Sequence, residues 1–158
     1  MAALVVAGPV SETLDAVHAA PIWRDRSDFV VGARLEESGR TEQMWARRIG
    51  TSTFEICCIP FFVYDLALGD VVRTDEKYEI VRVVERSGRT VFRLWFGTSS
   101  FSRDEIAEVL RQLGALLEWS SLNLLAVDAA DSAVAQTIAD YLQLHQSLGH
   151  LRYETGAS

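Results

Sequence analysis

Histidines, cysteines and paired carboxylates are the residues through which a chain without a bound cofactor does acid–base, metal or nucleophilic chemistry. Here the histidines and cysteines are few and scattered, while carboxylates are abundant. The three histidines are His18, His145 and His150. His18 falls in an N-terminal stretch, His145 near the apolar stripe of a helix, and His150 just beyond that helix. Spaced by five, the last two do not share a helix face as a metal pair spaced by four does. His150 is instead placed to meet a helix C-terminal dipole. Cys57 and Cys58 are adjacent, so in a strand their side chains point to opposite faces. They neither bond to each other readily nor show zinc or redox spacing, and they read as inert core residues. The acid pairs Glu36-Glu37, Asp75-Glu76 and Asp104-Glu105 sit at turns or a helix start, where solvated carboxylates are ordinary. Ser87 lacks the pattern of a nucleophile elbow, and Gly8 and Gly32 are too isolated to form a phosphate loop. No catalytic residue, cofactor-binding residue or metal ligand is assigned, and no cofactor is expected.

Charge narrows the partners. The chain of 158 residues carries 15 basic and 22 acidic side chains, a formal net charge of -7. That argues against nucleic acid, whose phosphates call for a basic surface. It suits a basic protein partner by electrostatic complementarity. Hydrophobic residues make up 49%, enough for one domain with a real core. No stretch is long and apolar enough to span a membrane. The N-terminal MAALVVAGPV lacks a preceding basic region and makes a poor signal peptide. With so few cysteines, a reducing cytoplasm fits best.

Residues 1–28, with Gly8, Pro9 and Pro21, read as a loosely ordered extension, with Trp23 as a pin to the body. Residues 29–158 read as a single α+β domain. Alternation at 29–34, 42–49 and 53–59 predicts three strands, with Pro60 at the edge of the last. Gly69-Asp70 predicts a turn before a short strand. Residues 78–96 read as a hairpin closed by Ser87-Gly88, with Glu79 and Glu85 in cross-strand ion pairs to Arg89 and Arg93. Ser102 followed three residues later by Glu105 is a capping box. It opens a helix with Ile106, Val109, Leu110, Leu113 and Leu117 on one stripe. A strand at 121–127 follows, then a helix capped by Asp131 and stopped by Gly149, then a strand at 151–154. The expected fold is therefore an N-terminal, mainly antiparallel, curled sheet followed by a β-α-β-α-β segment with two amphipathic helices. A right-handed parallel crossover joins 90–96 to 121–127. Edges at 29–36 or 151–154 are where a second copy would pair.

The segment IPFFVYDLALGDVV, residues 59–72, carries Phe61, Phe62 and Tyr64 behind a proline. Together with Trp45, these aromatics are binding anchors wherever they face outward, since such side chains dominate interfaces. Glu85 and Arg86 at the end of the expected hairpin complete the candidate site.

Pro60-Phe61-Phe62, Gly69-Asp70-Val71 and Glu85-Arg86-Ser87-Gly88, in that order, with MWARRIGTSTFEI before them, resemble the bacterial domain of unknown function 4265 family. The resemblance covers residues 29–153 and implies no activity and no catalytic residues. The functional expectation rests on the residues alone: a small, acidic, cytosolic, non-enzymatic protein-binding module, immunity- or antitoxin-like. Two alternatives stand beside it. One is an enzyme with a dispersed site of Glu85, Arg86 and Tyr64. The other is a small-ligand sensor with aromatics lining a pocket.

Overall fold

The structure, a computed structural model, describes residues 15–157. Its first sheet is an antiparallel meander of β1 (Phe29–Arg34), β2 (Thr41–Arg48), β3 (Thr53–Ile56), β4 (Val71–Thr74) and β5 (Ile80–Glu85), neighbours in sequence being neighbours in space. Period-two alternation buries one face: Val31 and Ala33 of β1, Met44 and Ala46 of β2, Phe54 and Ile56 of β3 and Val72 of β4 form one apolar cluster. The sheet curls until the Gly32 amide donates to the Tyr78 carbonyl at 2.9 Å. Among the described residues the sheet stays open beyond this one bridge between β1 and the lead-in to β5.

The second sheet has the order β7 (Leu116–Trp119), β8 (Leu124–Ala129), β6 (Thr90–Trp95), β9 (Arg152–Ala157), every pair antiparallel. Helices α1 (Arg103–Gln112) and α2 (Ser132–Ser147) cover one face of it. There Phe92, Leu94, Leu125 and Val127 pack against Ile106, Leu110, Ile138 and Leu142. Burying each such side chain stabilises by roughly 1.5–3 kcal/mol. The opposite face, with Val91, Leu124 and Ala126, meets Ile59, Phe61, Ala67 and Leu68. These belong to the β3–β4 connection, which also sends Cys58 and Leu66 into the first sheet's cluster. That connection is thus the filling between the two sheets.

The α+β class, the curled antiparallel sheet and the two amphipathic helices agree with the sequence reading. So do the caps: Ser102 accepts from the Glu105 amide at 3.1 Å, Asp131 accepts from the Val134 amide at 2.9 Å, and Gly149 ends α2 at φ +81°. Both expected edges, β1 and β9, do lie at sheet edges. No helix among the described residues is long and apolar enough to cross a membrane.

Four expectations are corrected. Residues 78–96 do not form a hairpin, because β5 and β6 belong to different sheets. Strand β5 is largely exposed while β6 is buried on both faces, so each finds a different kind of neighbour. The proposed ion-pair ladder disappears with the hairpin. Glu79 pairs with Arg34 at 3.1 Å, Arg89 with Asp128 at 2.6 Å and Arg93 with Glu154 at 3.4 Å. Helix α1 stops at Gln112 because Gly114 takes φ +101°. Leu116 and Leu117 then enter β7, whose hairpin with β8 reverses the chain, so β8 meets β6 antiparallel and the parallel crossover does not form.

Gly156 lies at an irregularity in the β6–β9 register, where a Cβ would fall 2.5 Å from Nη1 of the buried Arg93. Gly156→Ala is expected to lower unfolding free energy by about 1–3 kcal/mol, as overpacking does. Urea denaturation reads the change, and an unchanged midpoint contradicts it.

Candidate functional site

The chain at Asp15–Ala16 lies beside β2. The Ala16 amide donates to the Thr41 carbonyl at 2.9 Å, and the Gln43 amide donates to the Ala16 carbonyl at 2.8 Å. Two residues on, His18 passes into the interior, 3% exposed. Its Nε2 is 2.7 Å from Glu42 Oε2 on β2, and its Nδ1 is 2.7 Å from Glu118 Oε1 on β7. The ring stacks on Phe61, with centroids 3.9 Å apart and planes 9° off parallel.

Each carboxylate also gathers backbone amides. Glu42 accepts from Phe61 at 2.7 Å and from Phe62 and Val63 at 3.0 Å each. Glu118 Oε2 accepts from Ile59 at 2.7 Å and Ile22 at 3.0 Å. Residues 59–63 form no strand, so their amides need other partners. One acid from each sheet supplies them.

A neutral imidazole has one N–H and would turn a lone pair toward one of the two carboxylates. The imidazolium donates to both. Burial alone lowers the His18 pKa, but the hydrogen bonds to the Glu118 and Glu42 carboxylates reverse this and hold it well above 6.5. For Glu42, burial works upward, yet the hydrogen bond and charge of His18 and the loop amides bring its pKa below the usual value. Burial pushes the Cys58 thiol up, and burial with the Glu55 charge pushes Cys57 up to about 12. Both are neutral thiols in the core, as the sequence reading has them. With both nitrogens held by carboxylates and the ring buried, His18 acts as a brace between the two sheets.

The braced connection turns its next residues outward. Phe61 faces in, 2% exposed, while Phe62 and Tyr64 are 42% and 58% exposed. The Tyr64 hydroxyl donates to Glu154 Oε2 at 2.6 Å, and the Arg93 guanidinium lies 4.7 Å from the ring centroid. Arg93 also donates to the Val63 carbonyl, and the Asp65 amide donates to the Gly156 carbonyl at 3.0 Å. A groove of about 500 Å³ separates this ridge from the β1–β2 turn, lined by Glu36, Glu37, Arg40, Phe62 and Tyr64. A smaller opening of about 260 Å³ lies between the ridge and β5.

The sequence-nominated residues therefore divide. Phe62 and Tyr64 share one exposed ridge. Arg86 flanks it, donating to the Asp65 carbonyl at 2.6 Å and facing Asp70 at 3.4 Å. Phe61 is core. Trp45 is half-buried on the face of β2 opposite Glu42, with the Arg24 guanidinium 5.0 Å from its ring. Glu85 is exposed at the end of β5 and lines neither opening.

Sequence reasoning missed His18, Glu42 and Glu118. One signal was available: Glu42 shares its strand parity with the buried Met44 and Ala46, which puts a carboxylate on the core face. His145 and His150 do meet, by a route that helix periodicity does not contain. Gly149 turns the chain back so that the two Nδ1 atoms lie 2.8 Å apart, with Phe101 stacked on His150.

The family described as "Domain of unknown function (DUF4265)" matches residues 42–153. The match ends where the sequence resemblance ends but begins later, at Glu42. It contains Glu42 and Glu118, and His18 precedes it. A solved structure reported as "Novel crystal structure of a hypothetical protein from Neisseria gonorrhoeae" is 20% identical, with a TM-score of 0.68 over 84% of this chain and 94% of that chain. At that identity the likeness is one of fold. No curated protein matches.

The two shifts give the brace a pH window. A raised His18 pKa stabilises fully below 6.5 and loses that contribution as pH climbs to the folded value; a lowered Glu42 pKa stabilises above 4.5 and loses it as pH falls. Their joint contribution is therefore greatest between these values. His18→Gln is expected to cost on the order of 3–5 kcal/mol, because it leaves buried carboxylates unpaired, and to remove the fall in stability on the alkaline side. Urea unfolding of both proteins across pH measures this. A wild-type advantage that stays flat or grows above pH 6.5 contradicts the assignment.

Proposed function

The chain belongs to the DUF4265 family, and from that premise we propose that it is a non-enzymatic protein-binding module, immunity- or antitoxin-like, working in the cytoplasm on a basic protein partner. One observation carries the reading. Phe62 and Tyr64 are exposed side by side on a connection whose backbone is pinned by buried carboxylates. Exposed aromatics on a mobile loop lose conformational entropy when they bind. Here the amides of Phe62 and Val63 are already held by Glu42, and Tyr64 is held by Glu154 and Arg93. Ordering is largely complete before a partner arrives, and that is how preorganisation raises affinity.

The net charge of -7 supports a basic partner. It steers encounter over a longer range than the contacts themselves reach. Binding is best sought among proteins encoded beside this one, each purified and titrated by calorimetry. A Phe62→Ala, Tyr64→Ala double variant alters exposed side chains and keeps the fold, with a modest fall in melting temperature expected because Tyr64 gives up its contacts with Glu154 and Arg93. Its affinity for the cognate partner is expected to fall by about 2 kcal/mol or more, the size of one interface hot spot. If no neighbour binds wild type, or if the double variant binds equally well, the reading fails.

A further inference from the structure

We propose that the groove between the β1–β2 turn and the Phe62–Tyr64 ridge takes an extended, lysine- or arginine-bearing segment of a partner protein. The inference rests on the protein-binding reading and names what enters the site.

Strand parity fixes which main-chain groups of β1 face outward. Thr41 O and Gln43 N are bonded to Ala16, on the side of β2 away from β1. Their antiparallel partners on β1 are Arg34 and Gly32. The backbone groups of these two therefore face away from β2, toward the open edge. Gly32 confirms this by donating to the Tyr78 carbonyl at 2.9 Å. Arg34 follows at the same parity, past the point where the curl is bridged, and it lines both the 500 Å³ groove and the 260 Å³ opening. Among the described residues its amide and carbonyl have no hydrogen-bond partner outward, an open strand edge at the mouth of the groove. An extended chain laid there gains main-chain hydrogen bonds, as in strand addition, and its alternate side chains enter the groove.

Among the described residues five charged side chains line the groove, and their states differ. The Arg34 charge is met by Glu79 at 3.1 Å, and Arg40 has a partner of its own. Glu36, Glu37 and Asp65 make no side-chain hydrogen bond or ion pair among the described residues. Beside them stand the exposed ring of Phe62 and the ring of Tyr64, whose hydroxyl is held by Glu154. Uncompensated carboxylates beside aromatic faces recognise a cation on an apolar stem: the stem packs on the rings and the charge meets the acids. An acidic segment would face repulsion from the same groups.

The test uses the full chain, isotope-labelled, and two capped probe peptides, Gly-Val-Lys-Val-Gly and Gly-Val-Glu-Val-Gly. The lysine peptide is expected to shift the amide resonances of residues 34–40 and 62–65 in a dose-dependent way, more weakly as ionic strength rises. The glutamate peptide is expected to leave them unchanged. E36Q/E37Q alters an exposed turn and keeps the fold. It is expected to weaken the lysine peptide by about tenfold, the effect of two rim charges together. The inference is overturned if neither peptide binds, if the glutamate peptide binds as well, if the shifts fall elsewhere, or if E36Q/E37Q binds as wild type does. A protein partner that loses affinity with the Phe62 and Tyr64 variant but not with E36Q/E37Q would keep the protein-binding reading and overturn this one.

Discussion

A carboxylate buried without a counter-charge is among the most costly groups a fold can contain, and this protein buries two beside each other. Glu42 comes from the meander sheet and Glu118 from the helix-covered sheet. What makes the arrangement stable is the imidazolium of His18 between them, 2.7 Å from each, together with the backbone amides that both acids collect. Each participant depends on the others. Without the histidine the acids repel; without the acids the histidine loses its proton and the β3–β4 connection loses its hydrogen-bond acceptors. The sheets are therefore tied at a buried polar point, surrounded by Ile59, Phe61, Leu68 and Ala126 in the apolar filling.

This constraint reaches the surface within one residue. Phe61 lies against the His18 ring, and Phe62, next along the chain, stands exposed. The alternation is enforced from below, because Glu42 holds three consecutive amides and leaves the backbone no freedom to rotate. Tyr64 is fixed from a second direction by Arg93 and Glu154 on the other sheet. The exposed ridge of Phe62 and Tyr64 is thus the outer face of the same brace that joins the sheets. Its shape depends on a histidine buried beneath it.

Local patterns in the sequence located most of the elements. The strands of the meander follow from alternation, and the helix ends follow from Ser102, Asp131 and Gly149, because caps and periods act within a few residues. What escaped depends on distance along the chain. His18, Glu42 and Glu118 are separated by 24 and 76 residues, so no spacing rule connects them. The false hairpin at 78–96 had correct turn chemistry, since Gly88 does take φ +85°. Its strands were separated by burial, one exposed and one covered on both faces. Leu117 fitted the helical stripe and belongs to β7, because Gly114 ends the helix first. Of the nominated site, Phe62 and Tyr64 were legible as types, but their orientation was set by Glu42, whose significance lay only in its parity with Met44 and Ala46.

The contact between the two sheets turns on the charge of one buried ring. Nitrogen-15 spectroscopy of labelled protein reads it directly, since a protonated and a bare imidazole nitrogen resonate far apart. At pH 8, both nitrogens of His18 are expected to be protonated in the folded chain, each coupled to a slowly exchanging proton. A His18 ring that is neutral at that pH, or that titrates near the ordinary 6.5, would contradict the brace.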